Sequence, residues 1–206
     1  MFKKVLAVSM LFISCLSGFI SASACAADFS NHKVAVVYFT LLQNREFSSN
    51  DPQADKKAGN AEILADMIAE GTGGDLYSLK TVKKYPSDYD ETVDLAQEEQ
   101  DANARPELQE IPDMSSYDTV FISFPNWWGT YPVAVATFLD KVDLKGKNVI
   151  PVCTHEGSRM GRSQRDLENA LPESNVLDGF ERRGGSVADD ADTKEAVTEF
   201  LNELEL

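Results

Sequence analysis

Downstream of residue 32 the chain alternates short apolar runs with helix-periodic segments, and this alternation constrains the fold more than any other feature. Residues 33–39 are Val-rich without polar alternation, the pattern of a strand covered on both faces. Residues 60–70 place Ile63, Leu64, Met67 and Ile68 on one helical face and run into a glycine-containing stop at 71–74. Residues 75–79 read as a second strand and 88–103 as a polar, exposed helix. Pro106 and Pro112 then interrupt the chain before a third strand over 118–123. A helix over 131–142 carries Pro132 in its first turn, where proline is tolerated. A fourth strand spans 147–153, and a helix over 162–171 halts before Pro172. A short fifth strand falls within 175–182. A closing helix over 193–204 turns Val197, Phe200, Leu201 and Leu204 inward. Such an order predicts an α/β fold, a doubly wound three-layer sandwich around a parallel sheet. One domain over 33–206 accounts for it, without internal repeats.

The amino-terminal residues follow a different logic. Lys3 and Lys4 precede an apolar stretch over 5–20, and small residues fill 21–27. This reads as an export signal over 1–26, with Ala24-Cys25-Ala26 as the cleavage site. An alternative processing is also written there, because Ala22-Ser23-Ala24-Cys25 resembles a bacterial lipobox. The leader would then be 1–24 and Cys25 would carry lipid, the chain's one route to a membrane. Either way the protein is expected outside the cytoplasm, periplasmic or anchored on the outer side of the cytoplasmic membrane. The n-region lacks a twin arginine, so the chain would cross unfolded and acquire any cofactor outside. Cys15 lies in the leader and Cys25 at its end, which leaves Cys153 and no intramolecular disulfide. At the end of an apolar strand, Cys153 reads as a buried, inert thiol. A formal net charge of −15 argues against nucleic acid and anionic membrane surfaces as partners.

Three segments sit where strands end, the edge at which parallel α/β sheets bind ligands. At the first, Gly59-Asn60-Ala61-Glu62 opens a helix with Asn60 as its cap, and Thr40 ends the strand before it. The amino end of a helix favours a phosphate. The polar segment between Thr40 and Gly59 is long for such a junction. At the second, Pro125-Asn126-Trp127-Trp128-Gly129 puts adjacent tryptophans on a loop, costly unless they cover something flat and apolar. A flavin ring fits that need, and Gly129 lets backbone approach it. The competing reading is that the tryptophans fill core or cover a partner site. At the third, Gly157 and Gly161 permit tight turns that aim main-chain groups at a ring's polar edge. His155 and Glu156 invite a metal reading, but His32 is the only other histidine and no ligand set accompanies them. No G-x-S-x-G elbow supports hydrolysis, and no catalytic side chain is assigned.

These residues resemble the flavodoxin-like family, most closely its short FMN-binding flavodoxins. The resemblance covers residue 33 to the C-terminus. It rests on Tyr38-Phe39-Thr40, on Gly59-Asn60-Ala61-Glu62, on Tyr85-Pro86-Ser87-Asp88-Tyr89, and most specifically on 125–132 and 153–158. It implies a five-stranded parallel sheet of order 2-1-3-4-5 with FMN bound non-covalently at the strand ends. Thr40, Asn60 and Ala61 would hold the phosphate. Pro125, Asn126, Trp127, Trp128 and Gly129 would flank the ring, and Thr154, His155, Gly157 and Ser158 would line its other edge. The chain departs from the family at the phosphate loop: Leu41 and Leu42 stand where hydroxyls are expected, and Ala61 replaces threonine. Lys56 or Lys57 would have to compensate. The resemblance implies an exported electron carrier that works with a redox protein or a small-molecule acceptor. An FMN-dependent NAD(P)H reductase of quinones or nitro compounds would use the same site, although export and the lack of a G-x-G-x-x-G fingerprint weigh against it. A flavin-free binding module is the third reading, motivated by the altered phosphate loop.

Overall fold

The computed structural model describes residues 29–187 and 190–206. The expected leader and Cys25 lie outside the described residues. Six parallel strands form one sheet: β1 (Val34–Tyr38), β2 (Asp75–Ser78), β3 (Thr119–Pro125), β4 (Asn148–His155), β5 (Asn175–Val176) and β6 (Phe180–Arg183). The order is β2-β1-β3-β4-β5, with β6 also paired to β4. This is the doubly wound 2-1-3-4-5 arrangement expected, with one modification at its last position.

That modification has a local cause. The expected fifth strand is split, because β5 pairs with Asn148 and Val149 while β6 pairs from Val152 onward. Between them lies Pro151 of β4. The Lys147 and Val149 carbonyls accept from Asn175 and Leu177 on this edge, so strand alternation turns Pro151 to the same side. Proline has no N–H to continue the ladder. The Leu177 carbonyl, which that N–H would have served, instead accepts from Gln164 Nε2 at 3.0 Å. Gly179 crosses at the break, where a Cβ would stand 2.4 Å from the Pro151 carbonyl oxygen.

The strands bury both faces. Val34, Val36, Tyr38, Phe121, Ile150 and Val152 face α2 (Asn60–Thr72) and α6 (Asp190–Glu203) through Leu64, Ile68, Val197 and Leu201. Ala35, Val37, Ile122, Phe124, Val149 and Cys153 point the other way. They meet α4 (Val133–Leu139) and α5 (Ser163–Ala170) through Val135, Phe138 and Leu167. Each such large side chain contributes about 1.5–3 kcal/mol on burial. α3 (Tyr89–Asp101) begins at Asp88, whose carboxylate accepts the Glu91 N–H at 3.0 Å. α2 ends at Gly73, which takes the left-handed conformation at φ +70°. The helix expected over 131–142 is shorter, since Pro132 is its N-cap and Asp140 its C-cap. No described helix is long and apolar enough to cross a membrane.

The long segment after β1 contains structure that its sequence did not announce. A single helical turn, α1 (Leu41–Asn44), ends on a side chain that is only 1% exposed. Asn44 Nδ2 donates to the carbonyls of Thr40 (2.8 Å) and Leu79 (3.0 Å), and Oδ1 accepts the Thr81 N–H at 2.7 Å. Asn44 thereby fastens the end of β1 to the chain that leaves β2. Asn44→Ala strands a buried donor and two carbonyls. It is expected to lower unfolding stability by about 2–3 kcal/mol in urea denaturation, with the m-value unchanged.

Candidate functional site

The carboxyl ends of β1, β3 and β4 surround a cavity of about 710 Å³, within the range of small-molecule sites, roughly 300–1,000 Å³. Thr40, Asn60, Ala61, Pro125, Asn126, Trp127, Thr154, His155, Gly157 and Ser158 all line it. Ten of the twelve residues selected from sequence therefore meet on one wall system. The other two stand just outside. Trp128 borders an adjoining niche of about 200 Å³ that shares Leu41, Tyr89, Asn126 and Trp127 with the cavity. Gly129 faces Arg162 and Gly161. The sequence reading assigned no role to Arg45, Gln53, Tyr89, Glu156 or Gly184, which also line the cavity. Only the unusual length of the 40–59 segment hinted at Arg45 and Gln53.

One part of the cavity wall is the amino terminus of α2. Gly59, not Asn60, is the N-cap. Only glycine fits there, because a Cβ at Gly59 would stand 1.9 Å from Thr40 Oγ1. Thr40 is buried, and its side chain fills the room that any larger residue at 59 would need. Glu62 reaches back to the Gly59 N–H at 3.2 Å. Its other oxygen accepts from Gln43 Nε2 at 2.6 Å and Tyr38 Oη at 3.1 Å. The amides of the next residues open toward the cavity wall with the positive end of the helix dipole behind them.

Another part of the wall comes from the β3–α4 turn, through Asn126 and Trp127. Trp127 and Thr130 exchange backbone hydrogen bonds of 2.8 and 3.1 Å, and Trp128 and Gly129 between them have φ of +50° and +85°. Two consecutive left-handed residues match a two-residue reverse turn. Trp128 adopts this conformation at a cost of about 1–2 kcal/mol relative to glycine. The two tryptophans divide the roles proposed for them. Trp127 is held edge-on against Phe39 and Tyr85, with ring centroids at 5.4 and 5.2 Å, so it serves core and cavity together. Trp128 is 46% exposed, and its indole N–H is fixed to the Val93 carbonyl at 3.1 Å.

Asn126 couples this turn to the loop after β4. Its N–H donates to Thr154 O (2.7 Å), Oδ1 accepts the Gly129 N–H (3.0 Å), and Nδ2 donates to Arg159 O (2.8 Å). In the second loop His155 Nδ1 accepts the Gly157 N–H at 2.9 Å. That assignment leaves the ring proton on Nε2, which lies 2.6 Å from Glu181 Oε2. Glu181 Oε1 accepts from Arg159 at 2.8 Å. With Nδ1 taken by the loop's own amide, His155 shapes the loop. Behind it Cys153 is fully buried, as expected from its place in the strand.

The chain belongs to the flavodoxin family, whose sequence model matches residues 56–204. Among solved structures it resembles a candidate flavoprotein from Bacteroides eggerthii, at 26% identity and a TM-score of 0.62, covering 80% of this chain and 99% of that one. A candidate flavoprotein from Bacteroides uniformis gives the same identity and TM-score over 82% and 97%. A flavoprotein from Lactobacillus acidophilus, solved in complex with FMN, shares the fold at 21% identity and a TM-score of 0.55, over 77% and 97%. No protein of curated function matches the chain in sequence.

Burial, and secondarily the charge of Glu181, push the Cys153 thiol from its ordinary 9.0 up to about 12. The folded state therefore keeps a proton that the unfolded state releases above pH 9. Stability is complete below that value and falls as pH rises toward 12. Cys153 is expected to resist alkylation at pH 8 in the native protein and to be modified only in denaturant, followed by mass spectrometry of its peptide. Rapid native labelling would contradict the assignment.

Proposed function

We propose that this protein is an exported flavodoxin-family electron carrier that binds FMN non-covalently in the cavity at the strand ends. The observation that carries this reading is one continuous cavity with two chemically distinct parts to its wall. A helix amino terminus flanked by Arg45 and Lys56 forms one part of its wall, and Trp127 with the 154–158 loop forms another. This matches a ligand with a phosphate at one end and a flat ring at the other. The cavity volume and the donor set fit FMN, and the Lactobacillus acidophilus relative solved with FMN supports the choice. A bound flavin supplies one- and two-electron redox chemistry, and the protein supplies position and electrostatics.

The chain's own residues perform the rest. Backbone amides of Asn60 and Ala61, with the Thr40 hydroxyl, would hold the phosphate. Trp127 covers one side of the ring, and its orientation is fixed by Phe39 and Tyr85. Thr154, His155, Gly157 and Ser158 present polar groups to the ring's edge. Asn126 keeps the two loops at fixed separation through three hydrogen bonds. The acidic surface opposes added negative charge at the site, so it favours electron donation at low potential. In this reading residues 1–26 are a cleaved leader, or residues 1–24 are with Cys25 lipidated, and the domain over 33–206 works outside the cytoplasm. Its electron partner is a redox protein or a small acceptor.

A second reading has its own support. The niche between Tyr89, Val93 and Trp128 opens beside the cavity, is largely apolar and is the size of a single ring. It suits an FMN-dependent reductase of quinones or nitro compounds. Titration of flavin-free protein with FMN is expected to quench flavin fluorescence stoichiometrically and to shift the visible band. Absence of binding at about millimolar FMN, an affinity near −4 kcal/mol, would overturn both readings. Steady-state oxidation of NADH or NADPH by the loaded protein would select the reductase, and its absence the carrier.

A further inference from the structure

The segment between α1 and α2 enters the account above only by lining the cavity, yet it is built in detail. Arg45 has a side chain 13% exposed. Its guanidinium hydrogen-bonds the Asp51 carboxylate and the Ser87 carbonyl, and it lies 5.3 Å above the centre of the Phe47 ring. The Asp51 side chain is 4% exposed, and its second oxygen accepts the Gln53 N–H at 2.8 Å. Successive turns follow, from Asp51 N–H to Ser48 O, Ala54 N–H to Asp51 O, and Lys56 N–H to Gln53 O. The Arg45–Asp51 pair therefore pins the segment to the chain that leaves β2. The pinned segment brings Gln53 and Lys56 to the cavity wall beside Asn60 and Ala61.

The charges at that end decide what the wall can hold. Arg45 is compensated by Asp51. Glu62 is committed to Gly59, Gln43 and Tyr38, and Glu156 lies 3.7 Å from Arg183. Lys56 has no carboxylate within ion-pair distance among the described residues. Leu41 and Leu42 offer no hydroxyl to a phosphate. In a chain of net charge −15, a dianion reaches this end only if a local cation offsets the general repulsion.

We propose that Lys56 is the phosphate-selecting residue of the cavity. It closes over the amino end of α2 on the Arg45–Asp51 lock, takes a phosphomonoester, and thereby selects FMN over riboflavin. This rests on the flavin reading given above. Arg45 and Asp51 act as positioning residues. The interaction replaces the side-chain hydroxyls missing from the loop and, being partly exposed, weakens with ionic strength.

The test is the dissociation constant of FMN and of riboflavin for the purified protein and for Lys56→Gln, Lys56→Arg and Lys57→Gln. Lys56→Gln is expected to weaken FMN about 5- to 20-fold, between the values for exposed ion pairs and charge-assisted hydrogen bonds, and to leave riboflavin within about twofold. Lys56→Arg retains the charge and should restore FMN affinity. Lys57, exposed and off the cavity wall, serves as the control. Asp51→Asn should weaken FMN in the wild-type background and have little further effect beside Lys56→Gln. An FMN constant unchanged in Lys56→Gln overturns the proposal and leaves the flavin reading standing. So does a wild-type protein that binds riboflavin as tightly as FMN. A wild type that binds neither flavin overturns the flavin reading and this proposal with it.

Discussion

The site depends on the β3–β4 ladder continuing past the sheet. Pro125 still pairs with Thr154, and Asn126 then donates its N–H to the Thr154 carbonyl. That last hydrogen bond fixes where both loops start. The Asn126 side chain carries the restraint onward to Gly129 and Arg159, so the tryptophan turn and the 155–159 loop move as one body. Two loops on a parallel sheet would otherwise sample independent positions and could not hold a rigid ring between them. Gly161 completes the contact, since a Cβ there would stand 2.4 Å from the Gly129 carbonyl oxygen.

The α2 side of the cavity is held by a separate set of restraints. Thr40, Asn44 and Gly59 fit together through one contact with no room for a Cβ and one fully engaged amide. Leu41 and Leu42 lack the hydroxyls usual in a flavodoxin phosphate loop, but this scaffold leaves the helix amides in place. The segment that interrupts the loop carries its own cations. In the proposed reading, specificity for the phosphate moves from a compact loop to an insertion, within an acidic molecule where a single local cation has a large relative effect.

Much of this was legible in the sequence, for physical reasons. Strands buried on both faces write themselves as unbroken apolar runs, so β1, β3 and β4 were readable from residues such as Val36, Phe121 and Ile150. The Trp127–Trp128 pair pointed to a loop at the strand ends, because exposed aromatic surface is costly, and Trp127 does line the cavity there. The resemblance of 125–132 and 153–158 to flavodoxins supplied the strand order. Other features depend on contacts between residues distant in sequence. The split of the fifth strand follows from a missing N–H on Pro151, a residue of the neighbouring strand. The need for glycine at 59, the N-cap, comes from Thr40, which is remote in the chain. The inward turn of Trp127 requires Phe39 and Tyr85. Arg45 gave no sequence signal beyond the length of its segment, since its partners Asp51 and Ser87 meet it only when the insertion folds back.

In the flavin reading, one molecule occupies this cavity with its phosphate at the amino end of α2 and its ring beside Trp127. The most direct measurement is a crystal structure of the protein grown with FMN. The account predicts the phosphate against the amides of Asn60 and Ala61 with Lys56 above it, and the ring between the Trp127 turn and the 154–158 loop. A flavin bound elsewhere, or reversed so that its phosphate lies at the tryptophan turn, would contradict it.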